Sequence, residues 1–523
     1  MPYGVNAFDE PYQILNGMFP ESAPYSPLSA YFTKWFGELF NWQWLYFRYL
    51  AFSLNALSIL ISGCYLYIKS HKYAYSLIVT CLALLVGTII PNIYNIYGWD
   101  DWTQFFLIIT TLLILNYAAK PDIAKVILIA FLSATIILIR IPSIVILPLV
   151  CVCILFFIPK LNSAQKTYHI FTYVLTTIIL ILTFIILTFG SLEGYIEAFR
   201  ANPMDDHKPL RLLSAIILSG LNSLVWSIFI VGCYSIMKRL VHYSERRIYL
   251  YLFFVAIPII ILWFLYFYND PYYFLCIYLG VGILTFLLSK AFLIKNLTFK
   301  ASKRIVIIIL FLALVPIIGT NIGVAKITVW TAFPLIALYI YPYVNKYFNY
   351  LIITLCLSIV ASCYFKLKFN TFYDEGYKHT TYQFSEGKMK GLFTTPKKGE
   401  KIQKVIESFS KYSNDNNNSL ILRIGANYLY EYLFQSHNDY AACKFSFFDI
   451  YFNQDYIAWV EKQIVNSDKP VVVLYQKHDT FETADIPLLP MLQMIQNYLK
   501  PVEDIDGFLI YASSDAIVED VYN

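Results

Sequence analysis

Apolar blocks of about twenty residues recur through most of this chain, and no other feature restricts its fold as strongly. A helix of that length crosses a hydrocarbon core. It also satisfies its own backbone hydrogen bonds, which lipid cannot do. The blocks read as spans at 46–68, 74–94, 102–118, 122–139, 141–158, 168–189, 211–236, 248–267, 272–289, 304–321, 327–344 and 349–367. The fourth and fifth come from one long apolar stretch, divided at Arg140-Ile141-Pro142-Ser143. Composition agrees: 58% of the 523 residues are hydrophobic and 14% are charged. Soluble domains carry about 25% charged residues.

Lys and Arg in the short connections set the orientation. Lys69, Lys72, Lys120, Lys125, Lys160, Lys166, Lys238, Arg239, Arg246, Arg247, Lys290, Lys295, Lys300, Lys303, Arg304 and Lys346 fall on alternate loops, which are therefore expected in the cytoplasm. The opposite loops are acidic, aromatic or mixed. An even number of spans then puts residues 1–41 and the tail after about 368 outside. The net charge of +5 is modest and unclustered, so a nucleic-acid partner is not expected. The nine cysteines show neither zinc spacing nor a disulfide pattern.

The tail changes character. Residues 369–398 form a polar connector, and short apolar runs then alternate with helical patterns. Strands are expected at 419–424, 471–475 and 507–511, with helices at 400–412, 426–434, 455–465 and 491–499. The expected architecture is an all-α polytopic membrane domain of about twelve helices followed by a small soluble α/β domain. The boundaries are an outer loop over 1–45, a transmembrane domain over 46–368, the connector over 369–398 and the α/β domain over 399–523.

The ionisable residues of the outer face are the candidates for chemistry. Phe8-Asp9-Glu10 places two acids side by side. A carboxylate can take a proton from an attacking hydroxyl or hold a metal against a leaving phosphate. Asp9 before Pro11 is equally a helix cap, and the two readings are compatible. Trp99-Asp100-Asp101-Trp102 opens the third span. Its acids suit the helix macrodipole as well as an acceptor or sugar site, and its tryptophans suit sugar stacking as well as interface anchoring. Arg48, Arg140, Arg200, His207, Lys208 and Arg211 supply cations that can hold a phosphate or snorkel to lipid headgroups. In Asn269-Asp270-Pro271-Tyr272-Tyr273 the aspartate reads first as a helix cap.

Taken in order, these residues resemble a known family. Asp9-Glu10, Pro27 and Arg48 match the first outer loop of the GT-C superfamily of membrane glycosyltransferases, near the protein O-mannosyltransferases, the aminoarabinose transferases and related bacterial enzymes. Gly98-Trp99-Asp100-Asp101-Trp102 is similar to the family's second acidic site. The run from Ile139 to Pro148 and the Asp270-Pro271-Tyr272-Tyr273 motif resemble further segments of bacterial members. That family places a spanning helix before the acidic loop, whereas this chain begins within the loop. A start truncated by one helix is the expected explanation.

The resemblance implies inverting transfer of a hexosyl or pentosyl group from a polyprenyl-phosphate donor to a glycan, lipid or protein acceptor. The reaction would take place on the outer face of a bacterial plasma membrane. Asp9 is implied as general base or metal-associated acid, supported by Glu10, with Asp100 or Asp101 as second acid. Arg48, Arg140 and Arg211 are implied as holders of donor phosphate, and Trp99, Trp102, Tyr272 and Tyr273 as substrate contacts. A divalent cation is compatible with this chemistry, although no ligand set in the sequence demands one. The alternatives are a lipid-linked glycan flippase and a polysaccharide polymerase. A flippase is expected to carry charges along a path within its spans, often with internal repeats.

Overall fold

The structure is a computed structural model. It describes residues 5, 9–93, 97–200, 217, 221, 307–308, 311–312, 315–317, 335, 368, 370–371, 374–412, 419–424, 428–434, 454–477, 489–505 and 507–514. The protein is mostly helical, with a small sheet region toward its C-terminus. It divides into two compact units. One holds residues 1–48, 193–206 and 372–523, and the other holds 49–192 and 207–371.

The first unit begins with α1 (Asp9–Met18) and α2 (Pro27–Leu39). The acids Asp9 and Glu10 sit where the macrodipole favours negative charge, and Pro11 falls in the first turn, where its missing N–H costs nothing. Ile14, Leu15 and Met18 recur at helical spacing and are buried. Pro27 opens α2, whose buried face carries Ala30, Thr33 and Gly37, while Trp35 and Leu39 remain exposed. The small face of α2 lets α1 approach closely. A Cβ at Gly17 would fall inside the side chain of Thr33 and 3.1 Å from the Lys34 backbone nitrogen. Gly17→Val is therefore expected to force the two helices apart at a cost of about 1–3 kcal/mol. The check is the thermal midpoint of the detergent-solubilised protein, where an unchanged midpoint would contradict the packing.

The rest of the first unit comes from two distant parts of the chain. In α9 (Leu192–Arg200), the Tyr195 hydroxyl donates to the Pro24 carbonyl at 3.1 Å, and the Phe199 ring lies 4.2 Å from that of Tyr25. From the C-terminal region come β1 (Tyr382–Gln383), β2 (Phe393–Thr394) and α10 (Pro396–Ser410), followed by β3 (Leu420–Ile424) and α11 (Tyr428–Phe434). Then come α12 (Gln454–Val465), β4 (Val471–Gln476), α13 (Leu489–Tyr498), β5 (Lys500–Ile505) and β6 (Phe508–Ala512).

A four-stranded sheet runs in the order β3-β4-β6-β5. Leu420 pairs with Val471 in a parallel ladder, and Val473 pairs with Tyr511 in an antiparallel one. Every residue of β3 and β4 is buried, as strands covered on both faces must be, and Ile457, Val460, Met491 and Ile495 pack onto them. The strand β5 is absent from the sequence expectation. Lys-Pro-Val-Glu-Asp-Ile has no apolar alternation, and the register slips between Pro501 and Glu503. Proline and charge are what an edge strand tolerates.

The second unit contains most of α3 (Trp44–Ser70), together with α4 (Tyr73–Ile93), α5 (Trp99–Ala119), α6 (Ile123–Ile139), α7 (Ile146–Val152) and α8 (Ser163–Phe189). Three of these, α3, α5 and α8, are long and apolar enough to cross a membrane. At 1.5 Å per residue, α3 is about 40 Å long. The helices α3 and α4 touch at Gly63, where a Cβ would collide with the Thr80 side chain, and small residues at a crossing are characteristic of membrane helices. The apolar stretch from 123 to 157 breaks where Arg140 turns extended (φ −152°, ψ 101°), ending α6. A 3-10 turn over Ile141–Val145, α7 and a π-helical turn over Cys153–Phe157 follow. Pro142 supplies the reason, because it has no N–H to offer the Leu138 carbonyl and its ring would clash with that carbonyl in a continued helix. The spans expected between 211 and 367 lie outside the described residues, apart from isolated positions.

Candidate functional site

In the first unit the two sequence candidates Glu10 and Arg48 meet across 38 residues. The Arg48 Nε donates to Glu10 Oε1 at 3.1 Å and to Oε2 at 3.2 Å, and the NH2 nitrogen donates to Oε2 at 2.9 Å. Both side chains are fully buried. The helix α1 brings Glu10 and the first turn of α3 brings Arg48, whose guanidinium lies 5.4 Å from the centre of the Trp44 ring. The fork geometry is the strong form of a charge-assisted pair. Asp9 opens α1 beside this pair, and its side chain lies outside the described residues.

Behind Trp44 stands Tyr432 of α11, edge-on at 5.7 Å between centroids. Its hydroxyl donates to the Trp42 carbonyl at 2.5 Å. Burial, with the Glu10 charge adding to it, holds the Tyr432 hydroxyl well above its ordinary range. Lys388 reaches the last turn of α11, where its ammonium lies 5.0 Å from the centre of the Tyr432 ring and donates to the Tyr432 carbonyl at 2.6 Å. Carbonyls of a last helical turn lack intrahelical donors, and a lysine there is a favourable cap. Lys398 donates to the Val5 carbonyl at 2.7 Å and lies 3.8 Å from Asp374. Asp374 in turn accepts from the Thr394 hydroxyl.

Burial pulls the Lys388 amine down to about 7 from an ordinary 10.5. Between those values the unfolded chain holds a proton that the folded protein has shed, so stability rises with pH. Lys398, lowered chiefly by burial and further by Arg48, acts in the same sense, while Asp374 opposes it. The thermal midpoint is therefore expected to climb from pH 7 to about 9.5, before Tyr432 opposes it. Lys388→Met should flatten most of that climb, and a wild-type profile already flat over this interval would contradict the assignment.

In the second unit the paired aspartates part company. Asp101 accepts from the Gly98 backbone N–H at 3.1 Å and from Asn55 Nδ2 at 3.0 Å. It closes the N-terminus of α5 and ties that helix to α3. Asp100 keeps a half-exposed side chain, 3.8 Å from Nε of the buried Arg140. The sequence left either acid open as a reactive group, and the geometry gives Asp101 a capping role and Asp100 the accessible carboxylate. Trp102 Nε1 donates to the Tyr97 hydroxyl at 3.1 Å, and both Trp99 and Trp102 are partly buried.

Arg211, His207, Lys208, Asp270, Tyr272 and Tyr273 lie outside the described residues, as does the side chain of Arg200. Among the described residues no group of three or more His, Cys, Asp or Glu side chains gathers as a metal site. Sequence reasoning passed over Asn55, Asp374, Lys388, Lys398 and Tyr432. Each belongs to a segment with no motif of its own, and its partner is distant in the chain. Comparison with protein families, characterised proteins and solved structures found no match.

Proposed function

We infer that the protein is a membrane glycosyltransferase that takes a sugar from a polyprenyl-phosphate donor and passes it, with inversion, to a glycan, lipid or protein acceptor. The observation that carries this reading is the ordered set of charges at the starts of successive helices. Asp9-Glu10 opens α1, Arg48 lies in the first turn of α3, and Asp100 opens α5 beside Arg140.

In this reading Asp9 takes the acceptor proton as the acceptor oxygen attacks the anomeric carbon and the phosphate leaves with the bonding electrons. Glu10, fixed by Arg48, holds the first turn of α1, which begins at Asp9. Asp100 is the second acid, Arg140 and Arg211 balance charge on donor phosphate, and Trp99, Trp102, Tyr272 and Tyr273 contact substrate. The reaction face is the outer one, opposite the basic loops.

The test is incubation of the reconstituted protein with a panel of polyprenyl-phosphate sugars, followed by release of polyprenyl phosphate. The same assay with magnesium or a chelator reads cation dependence. At least one donor should be consumed in the presence of membrane acceptors. A panel left intact, with lipid-linked glycan moved across vesicles instead, would assign a flippase.

A further inference from the structure

Two hydrogen bonds in the first unit join parts of the chain separated by about three quarters of its length. Lys398 Nζ binds the Val5 carbonyl across 393 residues, and the Tyr432 hydroxyl binds the Trp42 carbonyl across 390. Val5 is four residues before Asp9, and Trp42 is two before Trp44, whose ring lies against the Arg48 guanidinium. The two anchors therefore bracket the segment that carries Asp9 and Glu10.

Neither anchor is incidental. Val5, Trp42, Trp44 and Tyr432 are all buried. Lys398 is steered by Asp374, itself fixed by Thr394, and the Tyr432 carbonyl is fixed by Lys388. The helix α1 also packs directly on α11. At Gly391 (φ +85°), the turn between Lys388 and β2, a Cβ would lie 2.9 Å from Leu45, so this turn is also seated against the start of α3.

We propose that Lys398 and Tyr432 are positioning residues, through which the C-terminal region holds the acidic segment Asp9–Glu10 and the Glu10–Arg48 pair in place. The catalytic part of the proposal rests on the glycosyltransferase reading, while the mechanical part stands without it. The C-terminal region is then a working half of the site's scaffold.

The experiment combines hydrogen exchange with kinetics on the full chain in nanodiscs. Tyr432→Phe keeps the ring against Trp44 and removes only the hydroxyl, Lys398→Met removes the ammonium, and Lys398→Arg restores a cationic donor. Amides of α1 should exchange roughly fivefold faster in Tyr432→Phe and roughly tenfold faster in Lys398→Met. Amides of β4 should stay at wild-type rates, which shows the sheet intact. With a donor that the wild type consumes, kcat should fall about tenfold at unchanged KM, and Lys398→Arg should recover most of both effects.

Wild-type exchange of α1 in both variants overturns the proposal whatever the activity. A faster α1 with unchanged kcat overturns the catalytic part and leaves the anchors as purely structural. A wild type that consumes no donor overturns the glycosyltransferase reading alone, and the exchange rates still decide whether the anchors hold the segment.

Discussion

Glu10→Gln is expected to destabilise the first unit by about 3–5 kcal/mol, as removal of one partner does in a buried ion pair. The side chains of Glu10 and Arg48 are both fully buried, so the remaining guanidinium cannot recover its loss from water. Gln keeps one acceptor oxygen for Arg48, but it loses the charge and the second acceptor. Arg48→Met should cost a similar amount for the converse reason, because it strands the carboxylate.

The double variant Glu10→Gln with Arg48→Met should lose less than the sum of the two. The coupling term of that cycle isolates the pair from the packing each side chain supplies. Because the chain has two compact units, the measurement should follow the first unit specifically, by proteolysis or exchange of α1, rather than by a single global transition. A Glu10→Gln protein with wild-type protection of α1 would show that the pair contributes nothing.

Asp9→Asn is expected to cut sugar transfer by about 10²–10⁴-fold while the protein inserts and folds as before. The substitution is nearly isosteric, and Asn supports a helix start as well as Asp does, so a pure capping role predicts almost no loss. This contrast separates the two readings that the local pattern leaves open. Asp100→Asn should also lower the rate, because its half-exposed carboxylate stands beside Arg140. Asp101→Asn should act mainly on stability, since its oxygens serve the Gly98 N–H and Asn55. Full transfer by Asp9→Asn would remove Asp9 from the reaction.

Some of this was legible before any coordinates. The apolar blocks that became α3, α5 and α8 were long enough to read as membrane-crossing helices, and the runs that became β3, β4 and β6 were dense enough in branched residues to read as strands. The break at Arg140-Ile141-Pro142-Ser143 was visible because proline acts locally. The edge strand β5 was not, since an edge needs no apolar face. Asp100 and Asp101 looked equivalent because adjacency in sequence says nothing of orientation. Successive helical residues point about 100° apart, so one turned to the Gly98 N–H and Asn55 and the other toward Arg140.

By itself the sequence determined the membrane-like helices, the sheet-bearing tail and the acidic and basic residues at helix starts, because each is written within about twenty neighbouring residues. Only the tertiary structure decided that Arg48 closes on Glu10, that Lys398 and Tyr432 reach back to Val5 and Trp42, and that the N-terminal segment shares a unit with the C-terminal region. Those pairings join residues 38 to 393 positions apart, and a contact made through folding over such distances leaves no periodic or compositional trace at either end.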